Sequence, residues 1–195
     1  MNAGDNHKIT SNRKKLISLC LTSLFAALIA CGTFISIPLP VSPIPVVLQN
    51  MFALLSGLVL GPARGAAAVA LYLLAGAIGI PVFAGGTGGI VHFQGPSGGF
   101  LAGYLLSGAL AGFIAGTPKP EKPAPLVRII LAALAGMLVV YVPGVARLKM
   151  VLNMSWTAAF AAGFIPFIVG DIIKCAVAVF AAVKLRKTVA KVFEH

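Results

Sequence analysis

SWTAAFAAGFIPFIVGDIIKCAVAVFAAVK fills residues 155–184, and its interior carries only two charges, Asp171 and Lys174, one helical turn apart. An ionisable group at bilayer depth is expensive, so it faces the interior of a helix bundle and marks a substrate or ion site. The rest of the chain places this stretch in a membrane. Hydrophobic residues make up 59% of the 195 and charged residues 10%, against about 25% charged in an ordinary soluble domain. The mean hydropathy is +1.01.

Working outward, six apolar spans are expected near 16–36, 46–61, 64–79, 99–116, 126–145 and 155–184. A perpendicular helix needs about 20 residues to cross the hydrocarbon. The second and third spans are shorter, so they are expected to be bent or shielded by protein. The fold class is an all-α integral membrane protein, six transmembrane helices in one bundle. Residues 1–15 are a basic, mobile cytoplasmic tail, 16–187 the membrane domain and 188–195 a second cytoplasmic tail.

The net charge of +11 fits nucleic acid less well than it fits membrane orientation. With both termini inside and alternating spans, Lys8, Arg13, Lys14, Lys15, Arg64, Lys119, Lys122, Arg128, Lys184, Arg186, Lys187 and Lys191 are cytoplasmic. That is twelve of the fifteen basic residues; Arg147 and Lys149 are outside and Lys174 lies within a span. Such a bias sets topology, and attraction to anionic membrane lipid is secondary. Cys20, Cys31 and Cys175 show no CxxC spacing and read as small buried hydrophobes. Leu28-Ile29-Ala30-Cys31 after a basic start resembles a lipoprotein cleavage site, but cleavage would remove one span from an even count, so the segment is expected to be retained.

Between the spans, three stretches are expected to be non-helical. Ile37–Pro45 has proline at every second or third position, which bars a helix and favours a stiff extended segment. Residues 80–98 are uncharged and too rich in glycine for a helix, yet Val82, Phe83, Ile90, Val91 and Phe93 are apolar. They form a Gly-rich extracellular loop between helices 3 and 4, folded back over the mouth of the bundle, since irregular backbone at membrane depth must be covered or line a cavity. Pro143–Asn153 is expected to connect the fifth and sixth spans, flanked by Tyr141 and Trp156, and Pro166 and Gly170 to kink the last one.

Recognisable catalytic machinery is absent. No GxxxxGK[ST] or GxGxxG pattern opens a helix, so active transport requires an energised partner. His7, His92 and His195 are isolated in sequence: the outer two are expected to be solvated, and His92 is open to a loop role or a ligand. No metal or cofactor is implied. Asp171 and Lys174 share a helix face, and two readings of them stay open: an ion pair that neutralises itself, or a grip on a small polar ligand. Gln49, Asn50, Thr87 and Gln94 offer neutral hydrogen bonds to such a ligand, and Phe83, Phe93, Phe100 and Tyr104 apolar walls. Ala26 and Ala30 put two small side chains on one face of the first span, where a neighbouring helix can approach closely.

Pro43–Asn50, Leu60-Gly-Pro-Ala-Arg-Gly65, Gly79–Gly89, Gly95-Pro-Ser-Gly-Gly99 and Gly170-Asp-Ile-Ile-Lys174 occur in one order along the chain. In them the sequence resembles the BioY family, the biotin-specific S components of energy-coupling factor (ECF) vitamin transporters. The resemblance implies a six-helix membrane protein, not an enzyme, that takes biotin from outside beneath the loop between helices 3 and 4. It implies that Asp171 and Lys174 hold biotin's head and that the Gly86-Thr87-Gly88 loop meets the ligand; Gln49, Phe83 and Phe93, from the polar and apolar groups above, are expected to complete the site. Threonine stands at 87 where the family can present an asparagine, and Phe100-Leu101 where some members carry a tyrosine and a basic residue. Ala26 and Ala30 match the AxxxA face that docks on the transmembrane coupling subunit, itself driven by two ATPase subunits. The cytoplasmic membrane is the implied location, and a homo-oligomer stays open. The alternatives are an S component for another vitamin, such as thiamine or riboflavin, and a non-transport membrane scaffold.

Overall fold

The computed structural model describes the backbone of residues 3–194 and the side chains of residues 12–193. The expectations for His7, Lys8 and His195 lie outside those side chains. Helix α1 runs from Ala3 to Cys31, so the helix continues back through residues expected to be a mobile tail. A short 3-10 turn follows, then strands β1 (Ser36–Leu39) and β2 (Ser42–Val47), paired antiparallel with Ser36 opposite Val47 and Leu39 opposite Ser42. The proline-rich stretch is therefore extended, as expected, but it doubles back into a hairpin, which departs from an all-α architecture. Prolines at 38, 43 and 45 are tolerated because each strand has a free edge on which no donor is needed.

Helices α2 (Gln49–Leu60) and α3 (Pro62–Ala77) are joined by Gly61 alone, at φ +84°, with Pro62 in the first turn of α3. After a loop containing the single turn α4 (Val91–Gln94) come α5 (Gly98–Ala115) and the non-helical linker 116–125. Helices α6 (Leu126–Val139) and α7 (Tyr141–Leu152) follow almost without a break. Pro143–Asn153, expected to be a connection, is thus mostly helix: Pro143 sits in the first turn of α7, where its missing donor is not needed. Asn153, at φ 49°, ends that helix. Helix α8 (Trp156–Gly163) and α9 (Ile168–Glu194) are separated by a 3-10 turn at Ile165–Phe167, so Pro166 breaks the last span as expected.

Among the described residues, four helical stretches are long and apolar enough to cross a membrane: Asn12–Phe34, Gly98–Ala115, Leu126–Leu152 and Trp156–Phe193. Helices α2 and α3 are apolar but shorter, about 18 and 24 Å at 1.5 Å per residue. Nearly every residue of α2 is buried: it is the central post around which the others stand, shielded as its length requires. Close approach depends on glycine. A Cβ on Gly57 would lie 2.1 Å from the Gly108 carbonyl oxygen of α5, so only hydrogen fits where α2 meets α5. Large apolar side chains such as Leu19, Phe113, Val142 and Ile173 point outward, as they must where the surrounding solvent is lipid. Cys20 and Cys31 are also exposed, on α1, and only Cys175 is buried, which corrects the expectation for the first two.

Candidate functional site

Asp171 lies in the first turn of α9, and both it and Lys174 are 6% exposed. Their pairing distance is 3.0 Å from Nζ to Oδ1. Asn50, in the first turn of α2, closes a ring: its Nδ2 donates to Asp171 Oδ1 at 3.1 Å, and its Oδ1 accepts from Lys174 Nζ at 3.1 Å. Tyr141, the first residue of α7, donates its hydroxyl to Asp171 Oδ2. Side chains from the first turns of α2, α7 and α9 therefore converge on one carboxylate. The Tyr141 ring is held edge-on by Phe100 and Phe164, with centroids 6.3 and 4.7 Å away.

A hollow of about 30 Å³ reaches both charges, walled by Asn50, Phe100, Tyr104 and Tyr141, with Ile44 and Val47 of β2 closing it. Beside it lies a cleft of about 180 Å³ that shares Phe100 and Tyr104 and extends past Gln49 and Phe83 to His92 and Ser97. Ile44, Pro45 and Val47 of β2 line both spaces, as Phe100 and Tyr104 do.

The predicted site residues fall into two groups. Asp171 and Lys174 line the hollow, and Gln49 and Phe83 line the cleft. The Gln49 amide nitrogen donates to the Val82 carbonyl at 2.7 Å and meets the Tyr72 hydroxyl at 2.9 Å and Thr33 Oγ1. This ties α2 to the glycine loop. Phe83 is 1% exposed and packs edge-on against Tyr72, His92 and Phe93, so Phe93 acts through Phe83 without lining either space. Thr87 is exposed and donates to the Ala84 carbonyl at 3.0 Å. It caps a turn in which Gly85 and Gly86 take φ +77° and +69°, a region that favours glycine. Gly88 is needed for space, since a Cβ there would sit 2.4 Å from the Ile80 carbonyl oxygen. Gly86, Thr87 and Gly88 shape the loop that delivers Phe83; none of them lines the hollow or the cleft.

Ala26 is 7% exposed and belongs to the core cluster with Ala53, Val69 and Tyr72, and Ala30 packs against that cluster half-buried. Ala26 thus serves the seam between α1 and its neighbours, because a side chain that buried offers almost no area to another protein. Tyr141 is the residue that sequence reasoning missed. An aromatic flanking an expected connection reads as an interface anchor, and only the continuation of helix through Pro143 turns it inward.

The apolar helices and the polar pair buried among them define a multi-pass membrane protein with a polar site inside its bundle. A model of the BioY family matches residues 6–191. The chain belongs to the BioY family. It is 41% identical over 172 residues to the "Probable biotin transporter BioY" of Pyrococcus horikoshii, covering 88% of this chain and 98% of that one. It is 39% identical over 169 residues to the "Biotin transporter BioY" of Thermotoga maritima, covering 87% and 95%. The crystal structure of the S-component for biotin from an ECF-type ABC transporter superposes with a TM-score of 0.79 at 28% identity, covering 96% of this chain and 95% of that one.

Proposed function

We propose that this chain is the biotin-capturing S component of an ECF transporter in a cytoplasmic membrane. The observation that carries the reading is the unspent hydrogen-bonding capacity around Asp171. A carboxylate accepts about four hydrogen bonds and an ammonium donates three. Asp171 receives three, from Asn50, Lys174 and Tyr141, and Lys174 gives two. One acceptor site and one donor remain, on groups that line the hollow. Biotin's ureido ring presents N–H donors beside a carbonyl, which is the complementary set. Asp171 takes an N–H, and Lys174 meets the polar end of the ring.

Charge decides which end of the ligand goes in. The pair is formally neutral, so it gains nothing net from an anion. A carboxylate about 4 Å from Asp171 would be repelled by about 4 kcal/mol at an effective dielectric of 20, offsetting its attraction to Lys174 and leaving its desolvation uncompensated. The neutral head therefore enters the hollow. The valerate lies along the cleft toward His92 and Ser97, where the start of α5 contributes positive potential. Admitting a bicyclic head to so small a hollow requires Ile44 and Val47 of β2 to move.

The membrane arrangement belongs to the same proposal. The chain crosses six times with both ends cytoplasmic, supported by the twelve basic residues that this topology places inside. The Gly85–Gly89 loop lies outside, and the loaded bundle is worked by a transmembrane coupling subunit with two ATPase subunits. A docking partner meets the outward row of α1, where Leu16, Leu19 and Leu24 are exposed, with half-buried Ala30 at its edge. The test is a biotin titration of the detergent-purified chain, with thiamine and riboflavin as competitors. Saturable binding displaced by unlabelled biotin alone is expected. Absence of saturable binding, or equal displacement by either competitor, overturns the assignment.

A further inference from the structure

A third cavity, of about 250 Å³, opens at the other end of the bundle, between the linker 116–125 and the last turns of α9. From residue 171 to 187 along α9 is about 24 Å at 1.5 Å per residue, so it is remote from the Asp171 site. Its polar lining consists of Lys119, Arg186, Lys187 and Lys191, and no acidic side chain lines it. Ile129, Val183 and the linker prolines form the remaining wall.

Arg186 is the fixed part. It is 7% exposed, and its guanidinium donates to the carbonyls of Leu58, Ala115 and Gly116. It thereby joins the C-terminal ends of α2 and α5, whose partial negative charge holds it in place. Three of its five N–H groups are used in this way, and the others remain on a cation that lines the cavity. Among the described residues no carboxylate pairs with Arg186, Lys119, Lys187 or Lys191. Lys187 and Lys191 follow one another at helical spacing on the exposed edge of α9. The lysines supply positive charge that the two helix ends do not offset.

We infer that this cavity seats the headgroup of an anionic phospholipid. The phosphate is held over Arg186 by Lys119, Lys187 and Lys191, and the glycerol and upper acyl chain lie against Ile129 and Val183. A lipid is favoured over a soluble anion by position. Ile129 lies one turn from the start of the membrane-crossing stretch Leu126–Leu152, and Val183, in the wall of the same cavity, directly precedes the basic run Lys184–Lys187 of α9, which is the depth of a headgroup. Basic pockets between membrane helices are a known chemistry for such lipids.

The test uses the full chain in detergent–phosphatidylcholine micelles, with bound lipid counted by native mass spectrometry as phosphatidylglycerol is added. Phosphatidylglycerol is expected to be retained at least about tenfold over phosphatidylcholine, and the pair Lys187→Gln/Lys191→Gln to lower that retention about tenfold or more. The control pair Lys14→Gln/Lys15→Gln, which removes the same charge from the exposed start of α1, is expected to change it less than twofold. If the α9 pair does not fold, Lys119→Gln on the linker is expected to lower retention about threefold by itself, and no change there overturns the site. Equal retention of the two lipids, or equal losses in the α9 and control pairs, also overturns it. Displacement of the lipid by millimolar inorganic phosphate makes it a soluble-anion site and overturns it too.

Discussion

Replacing Asp171 by Asn and Lys174 by Met, singly and together, separates a pair that holds itself from a carboxylate held by the fold. Asp171→Asn keeps the shape but leaves Lys174, 6% exposed, with only the neutral oxygens of Asn50 and the new amide. Removing one partner of a buried pair costs about 3–5 kcal/mol. In a chain of this size each kcal/mol is worth about 2–4 °C, so Tm falls by about 6–20 °C. Lys174→Met leaves Asp171 with two donors, Asn50 and Tyr141. It forfeits a charged hydrogen bond of about 1.5–3 kcal/mol and costs about half as much. The double variant removes both charges and is expected to recover most of the Asp171→Asn loss, because neutral replacements for buried pairs are often tolerated. Thermal unfolding followed through the single tryptophan, Trp156, measures all four proteins. In a parallel titration, loss of the carboxylate acceptor raises the biotin Kd about 10–100-fold. If Lys174→Met proves as damaging as Asp171→Asn, or the double variant loses the sum of the singles, the bonds from Asn50 and Tyr141 are not what holds the carboxylate.

Tyr141→Phe removes a hydroxyl bonded to Asp171, and its Tm is expected to fall by at least about 3 °C in the same unfolding assay. Thr87→Ala breaks only the exposed turn bond to Ala84, so its biotin Kd in the titration is expected to stay within about twofold of the parent. Gly88→Ala forces a methyl against the Ile80 carbonyl, and overpacking of about 1–3 kcal/mol lowers Tm by several degrees. Biotin amide, altered at the carboxylate, is expected to compete within about tenfold of biotin. A ureido N-methyl analogue loses at least about a hundredfold, having no N–H for Asp171 and leaving it unpaired.

Much of the helical layout follows from hydropathy alone. The apolar runs near 99–116 and 126–145, and that after residue 155, stand as helices, and the weakness of the 46–61 run translates into a short α2 wrapped by its neighbours. What hydropathy does not encode is pairing. Ile37–Pro45 carries an extended preference in every proline, but which segment pairs with it depends on where Ser42–Val47 returns in space. Likewise Pro143 signals a break, yet proline in the first turn of a helix has no hydrogen bond to lose. The same residue serves a loop or a helix start, and the neighbouring α6 decides between them.

The site was legible to the extent that its cost was. Two charges in an apolar run are conspicuous because they are unaffordable without partners, whereas the partners are ordinary residues. Asn50 and Tyr141 are 121 and 30 residues from Asp171 in sequence; Asn50 is a candidate as one of two amides entering a helix, whereas nothing local distinguishes Tyr141 from an aromatic at an interface. Spacing along one helix fixes which side chains share a face, but it is silent on which other helices start there. The same limit applies to Ala26 and Ala30: their four-residue spacing creates a flat strip, and flatness suits a neighbour in the same chain as well as one in another. The decisive quantity is burial within the chain's own bundle, and Ala26 is spent there. Under the proposed docking, the partner grips α1 by the exposed leucines beside that strip, and their exposure in an isolated bundle is costless in lipid.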